Sequence, residues 1–132
     1  MSERHDMSGP DSKGHDLNGP TRIAGRAAAI ADAGGLQQAL LNGLFPSSLS
    51  LTMAEALVLG LMKQGVTKYL AIFGHGSTQI GDVLRVYERA GLTRTFQFRN
   101  EVAMAHAATA LRWAYGEVPA LVTSIGPGAL QA

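Results

Sequence analysis

Glu101 stands at the first position of a segment that reads as a helix, directly after Asn100, a residue suited to cap it. Two glycine-rich stretches flank it along the chain: Gly74-His75-Gly76-Ser77 before it and Ser124-Ile125-Gly126-Pro127-Gly128 after it. A carboxylate at a helix start is in most helices only a partner for the helix dipole. This one is followed by Ala103, Ala105, Ala107, Ala108 and Ala110, small residues that allow close packing. A carboxylate held in a tight, apolar crevice can instead share a proton with a ring nitrogen. His75, in the first of these stretches, reads on residue type as a loop histidine that bonds backbone. Other chemistries fail on spacing. Gly74-x-Gly76 needs a third glycine at position 79, where Gln79 stands, so no dinucleotide fingerprint forms. There is no Gly-Lys-Ser/Thr phosphate loop, and with no cysteine there is no thiol nucleophile, disulfide or zinc-thiolate site. His5-Asp6 recurs as His15-Asp16, but two such pairs in a polar stretch read as a solvated tail, not a metal site.

Positioning those loops takes an alternation of helices and strands. Residues 21–33 read as an Ala-rich helix capped by Thr21 and stopped at Gly34-Gly35. Leu36 to Leu44 add a turn or two of helix, and Phe45-Pro46-Ser47-Ser48 reads as a linker. Thr52 with Glu55 forms a capping box ahead of an apolar run that Gly65 ends. Tyr69 to Phe73 is continuously apolar, as a central parallel strand requires. Ile80, Val83, Leu84 and Tyr87 line one face of the next helix. Thr95 to Phe98 form a second strand, Glu101 to Tyr115 a third helix of this series, and Ala120 to Ser124 a third strand. The fold class is therefore α/β, a parallel sheet with flanking helices in three layers. All three candidate loops then open on the carboxyl edge of that sheet. Trp113 and Tyr115 are expected to pack at the end of their helix, and His106, off the face of Glu101, in a core or interface.

The 132 residues carry 46% hydrophobic side chains, enough for a core, and a formal charge of +1. That near-neutral balance removes the electrostatic case for nucleic acid or an anionic membrane surface. No apolar run is long enough to span a bilayer, and Glu3, Asp6, Asp11 and Asp16 argue against a transit peptide, so a cytoplasmic protein is expected.

Phe98-Arg99-Asn100-Glu101-Val102-Ala103-Met104-Ala105-His106-Ala107-Ala108 resembles the glutamate motif of thiamine-diphosphate-dependent enzymes of the acetolactate synthase type. Thr123-Ser124-Ile125-Gly126-Pro127-Gly128-Ala129 is similar to that family's Thr-Ser-Gly-Pro-Gly turn, and Phe73 to Ser77 stand where it carries its first glycine loop. Phe-Gly-His-Gly and the inserted Ile125 look most similar to the trihydroxycyclohexanedione hydrolases of inositol catabolism. The resemblance covers residues 51–132 and implies a pyrimidine-binding domain. It implies Glu101 as the acid that activates the cofactor, with Gly74, Gly76 and Ser77 approaching the thiazolium and substrate, and His75 as a second catalytic group. Thr123, Gly126, Pro127 and Gly128 would line the aminopyrimidine pocket, where glycine lets backbone come close. The implied reaction is attack on a 2-oxo acid or a cyclic dione.

The family holds the diphosphate through Mg2+ on a second domain with a Gly-Asp-Gly turn. Here Gly81-Asp82 is followed by Val83, so this chain supplies no metal site and the implied partner is a missing carboxy-terminal half or a complementary subunit. The chain divides into a disordered tail (1–20), a helical arm and linker (21–50) and the first half of the cofactor domain (51–132). Only Ala129 to Ala132 follow Gly128, so the third strand is expected to lack its crossover and to leave an open apolar edge. Such a chain is expected to be inactive alone and to work in a homo- or hetero-oligomer. The competing reading is a non-catalytic module of the same fold that binds a partner.

Overall fold

The computed structural model describes residues 17–19 and 21–132. His5, Asp6, His15 and Asp16 lie outside them. Among the described residues five α-helices, α1 (Ile23–Asp32), α2 (Leu36–Leu41), α3 (Met53–Lys63), α4 (Thr78–Arg89) and α5 (Glu101–Tyr115), surround three strands, β1 (Lys68–Ala71), β2 (Arg94–Gln97) and β3 (Ala120–Val122). The sheet is parallel throughout, with order β2-β1-β3. β1 pairs Tyr69 with Thr95 on one side and with Ala120 on the other. This is the expected α/β class.

The topology follows from handedness. The crossover from β1 to β2 runs through α4, and that from β2 back over β1 to β3 runs through α5. Right-handed crossovers in opposite directions put their helices on opposite faces. β1 is thus covered on both sides, and Tyr69, Leu70 and Ala71 are buried. α4 turns Val83, Leu84 and Tyr87 into the core, the stripe its periodicity predicts. β2, at an edge, is mostly exposed.

Local chemistry sets the boundaries. The Thr52 hydroxyl accepts from the Glu55 N–H at 3.2 Å, and the Asn100 side chain accepts from the Ala103 N–H at 2.7 Å. Gly116 ends α5 at φ +70°, a left-handed turn that a side chain resists. α1 differs from expectation: Arg22, not Thr21, occupies its cap position and makes no side-chain cap bond.

The capping box is only half made. The Glu55 carboxylate turns inward to Arg26 of α1, whose Nε donates to Oε1 at 2.8 Å and whose Nη2 donates to Oε2. The Tyr87 hydroxyl donates to Glu55 Oε1 at 2.9 Å. Arg26 and Glu55 are wholly buried. Leu17–Gly19, read from the sequence as part of a polar tail, are placed against this group: Leu17 is buried, and its carbonyl and that of Gly19 accept from Arg26 Nη1 at 2.6 and 2.7 Å. The arm at 21–44 therefore packs on its own chain, with Ala27, Ile30, Leu36 and Ala39 in one core with α3 and α4.

α5 is the least buried helix of the sheet layers, with Met104 its one fully buried residue. Trp113 and Tyr115 are 85% and 75% exposed, so neither packs at the helix end as expected, and His106 is exposed rather than in the core. Toward its far end Leu111 is half-buried and lines an apolar cavity with Leu70 and Phe96 of the sheet.

Replacing Glu55 by Leu leaves a buried guanidinium without its counter-charge and should cost about 3–5 kcal/mol in urea unfolding. Among the described residues the buried Tyr69 hydroxyl finds no partner, and burial pushes its phenol up to about 12. Burial, then the Glu55 charge, pushes Tyr87 in the same direction. Both folds favour the neutral phenol, so their contribution is present below the ordinary tyrosine value of 10.0 and for Tyr69 is lost as pH rises from there to about 12. Tyr69→Phe should therefore raise stability by up to about 1 kcal/mol at neutral pH and flatten the fall in unfolding midpoint above pH 10.

Candidate functional site

Three connections leave the carboxyl ends of the strands, and the backbone brings two of them into contact. After β1, residues 72–74 lead into a 3-10 turn, His75–Ser77, before α4 begins at Thr78. After β3, residues 123–126 lead into a second 3-10 turn, Pro127–Gln131. β1 and β3 are neighbours. Their connections meet at the point where the strand order reverses, the usual ligand crevice of an open parallel sheet.

The approach is so close that side chains are excluded. A Cβ on Gly74 would overlap Ser124 Oγ and stand 2.5 Å from Ser124 Cβ. A Cβ on Gly76 would stand 2.7 Å from Ile125 Cγ2. Gly126 adopts φ +103° and turns the second loop toward α5. There a Cβ on Gly128 would overlap Glu101 Oε1 and stand 2.9 Å from its Cδ. Glu101 is half-buried at the start of α5, so its carboxylate lies against bare backbone near the positive end of a helix.

The sequence-selected residues divide between these roles. Glu101, Gly74, Gly76, Gly126 and Gly128 form the junction of the loops. Pro127 opens the second turn and is exposed, and Thr123 is half-buried at the end of β3. Ser77 is engaged inside the first loop: its hydroxyl accepts from the Gly74 N–H at 3.0 Å and lies 3.3 Å from the Gly74 carbonyl. It is buried, which fits a brace for the turn better than a ligand contact. Thr78 adds a hydroxyl bond to the Gly74 carbonyl at 3.2 Å. His75 is exposed on the same edge. Ser124 meets Gly74 across the two loops, a pairing that nothing local in the sequence marks. An open cleft along α4 and β2 also reaches Phe73 and Gly74, but Glu101 does not line it.

Among the described residues no group of three or more His, Asp and Glu could hold a metal ion, and no helix is long and apolar enough to cross a membrane. Because Ser124 Cβ is fixed to backbone, Gly74→Ala must move one loop against the other. It should lower stability by about 1–3 kcal/mol, whereas Gly128→Ala meets the end of a flexible side chain and should leave the thermal midpoint nearly unchanged.

No curated protein and no solved structure matches the chain significantly. Residues 51–132, which hold the sheet, α3 to α5 and all three loops, match the model of the thiamine pyrophosphate enzyme N-terminal TPP-binding domain, and the chain belongs to that family.

Proposed function

We propose that the crevice between the β1 and β3 loops receives the aminopyrimidine of thiamine diphosphate and that Glu101 is the acid that activates it. The observation that carries this reading is the Glu101 carboxylate lying on the Gly128 backbone, with no side chain between. A flat heteroaromatic ring needs such a floor, and a half-buried carboxyl at its rim can share a proton with a ring nitrogen. Bound there, the cofactor would supply a nucleophilic carbon for attack on a carbonyl. Glu101 would hold the shared proton at its carboxyl oxygens. Gly126 and Gly128 would let backbone approach the ring, with Thr123 and Pro127 at its sides. The Gly74 to Gly76 backbone, braced by Ser77, would face the reacting centre, and His75 would be the nearest titratable side chain to substrate. The substrate is read as a 2-oxo acid or a cyclic dione, the latter on the likeness of Phe-Gly-His-Gly and Ile125 to the trihydroxycyclohexanedione hydrolases.

The diphosphate and its Mg2+ are assigned to a second domain, in a carboxy-terminal half or a complementary subunit. Gly-Asp-Gly does not occur in the sequence, which supports that division. The exposed Leu121, Ile125 and Leu130 beside the loops give the second domain an apolar surface to meet. Cytoplasmic location and an oligomeric state belong to the same reading.

The alternative, a non-catalytic module that binds a homologous subunit, is favoured by those same apolar residues. The two readings separate on Glu101. Amide-resolved NMR titration of the chain with millimolar thiamine diphosphate and Mg2+ should shift residues 74–77, 101 and 123–128. Glu101→Gln should weaken that response by about tenfold or more, the loss of a charge-assisted bond. Shifts mapping elsewhere, or the same response in the variant, would overturn the assignment.

A further inference from the structure

Arg26, a large and fully buried side chain, lies away from the loops in the segment that precedes the family match. Arg26 is fully enclosed, yet every acceptor it has comes from elsewhere in the chain. Two are the carboxylate oxygens of Glu55 on α3, and two are the backbone carbonyls of Leu17 and Gly19. The short piece that offers those carbonyls is itself strapped down. Asn18 Oδ1 accepts from the Ser50 N–H at 2.7 Å, and the Gly19 N–H donates to the Ser50 carbonyl at 3.2 Å. Tyr87 closes the group from α4 by its bond to Glu55.

A buried network of this kind is stable when complete and costly when half made, because a desolvated charge loses its partners one by one. Partial opening is therefore disfavoured relative to either end state. The chain has joints where opening could occur. Gly34 and Gly35 separate α1 from α2 at φ +85° and +116°, and Gly43, at φ +66°, begins the connection to α3. Lys63 adds only a surface tie, its carbonyl accepting from Gln37 at 2.9 Å.

We propose that residues 17–19 and 21–44 are a latch. The hairpin of α1 and α2 closes on α3 and α4 while the Leu17–Gly19 strap completes the shell of Arg26, and it opens as one unit when the strap is withdrawn, with the sheet left intact. The element is two-state by construction, and its control point is backbone outside the cofactor domain.

Gly19→Pro in the full chain tests this without touching a core side chain. Proline cannot adopt φ +110° and has no N–H for Ser50, so the strap must leave Arg26. Hydrogen exchange read by mass spectrometry should quicken about tenfold or more in peptides covering α1 and α2, while peptides of β1 to β3 stay within about twofold of the parent. Unchanged exchange in α1 and α2 would overturn the proposal, and so would equal acceleration in the hairpin and the sheet. Should the variant fail to fold, the parent chain decides in sub-denaturing urea. The hairpin must then exchange through an opening with a smaller urea dependence than the sheet, and a single opening shared by both contradicts the latch.

Discussion

The two-sided pairing of β1 is the constraint on which the rest of this fold depends. A strand bonded in parallel to both neighbours cannot be joined to either by a tight turn. Its crossovers must carry α4 and α5, and their common handedness sends them to opposite faces. The three connections that leave the strand ends then share one edge. Two of them, those after β1 and β3, meet there without a helix between. Glycine follows from that meeting. At Gly74 the neighbour is Ser124, and at Gly128 it is the carboxylate that begins α5. The site is thus a consequence of strand order, and its glycines record how closely two backbones and one carboxyl approach.

A second constraint holds the helical layer. Neither Arg26 nor Glu55 could be buried alone, since an isolated charge loses far more hydration than a hydrophobic core returns. Together with Tyr87 and two carbonyls they satisfy one another, and they join α1, α3 and α4 at a single point. α4 begins directly after the first glycine loop, so the same helix that this group anchors also carries Ser77 and Thr78 at its start, where both hydroxyls hold Gly74.

Much of this was legible in the sequence because it is local. Thr52, Asn100 and Gly116 mark helix ends with their own side chains or lack of one. The Ile80, Val83, Leu84 and Tyr87 stripe marks a face, and the unbroken apolar run at Tyr69 marks a strand covered on both sides. The order of strands, and with it the shared edge, follows from those elements plus handedness. What was not legible depends on contacts between distant segments. Glu55 looks like the second half of a capping box until Arg26, far away in an Ala-rich helix, claims its carboxylate. Leu17 looks like a stray apolar residue in a polar stretch until the strap buries it. Trp113 and Tyr115 look like core residues by type, but both are largely exposed on α5. Ser77 looks like a loop hydroxyl free for a ligand, while the turn it closes needs it for Gly74.

The central claim is that the pyrimidine ring binds against the Glu101 carboxylate, beside the second glycine loop. Intermolecular nuclear Overhauser effects between the pyrimidine methyl group of thiamine diphosphate and the isotope-labelled chain test this directly. The account predicts cross-peaks to the Glu101 side chain and to residues 123–128. Cross-peaks confined to the cleft along α4 and β2, or to α1 and α2, would contradict it.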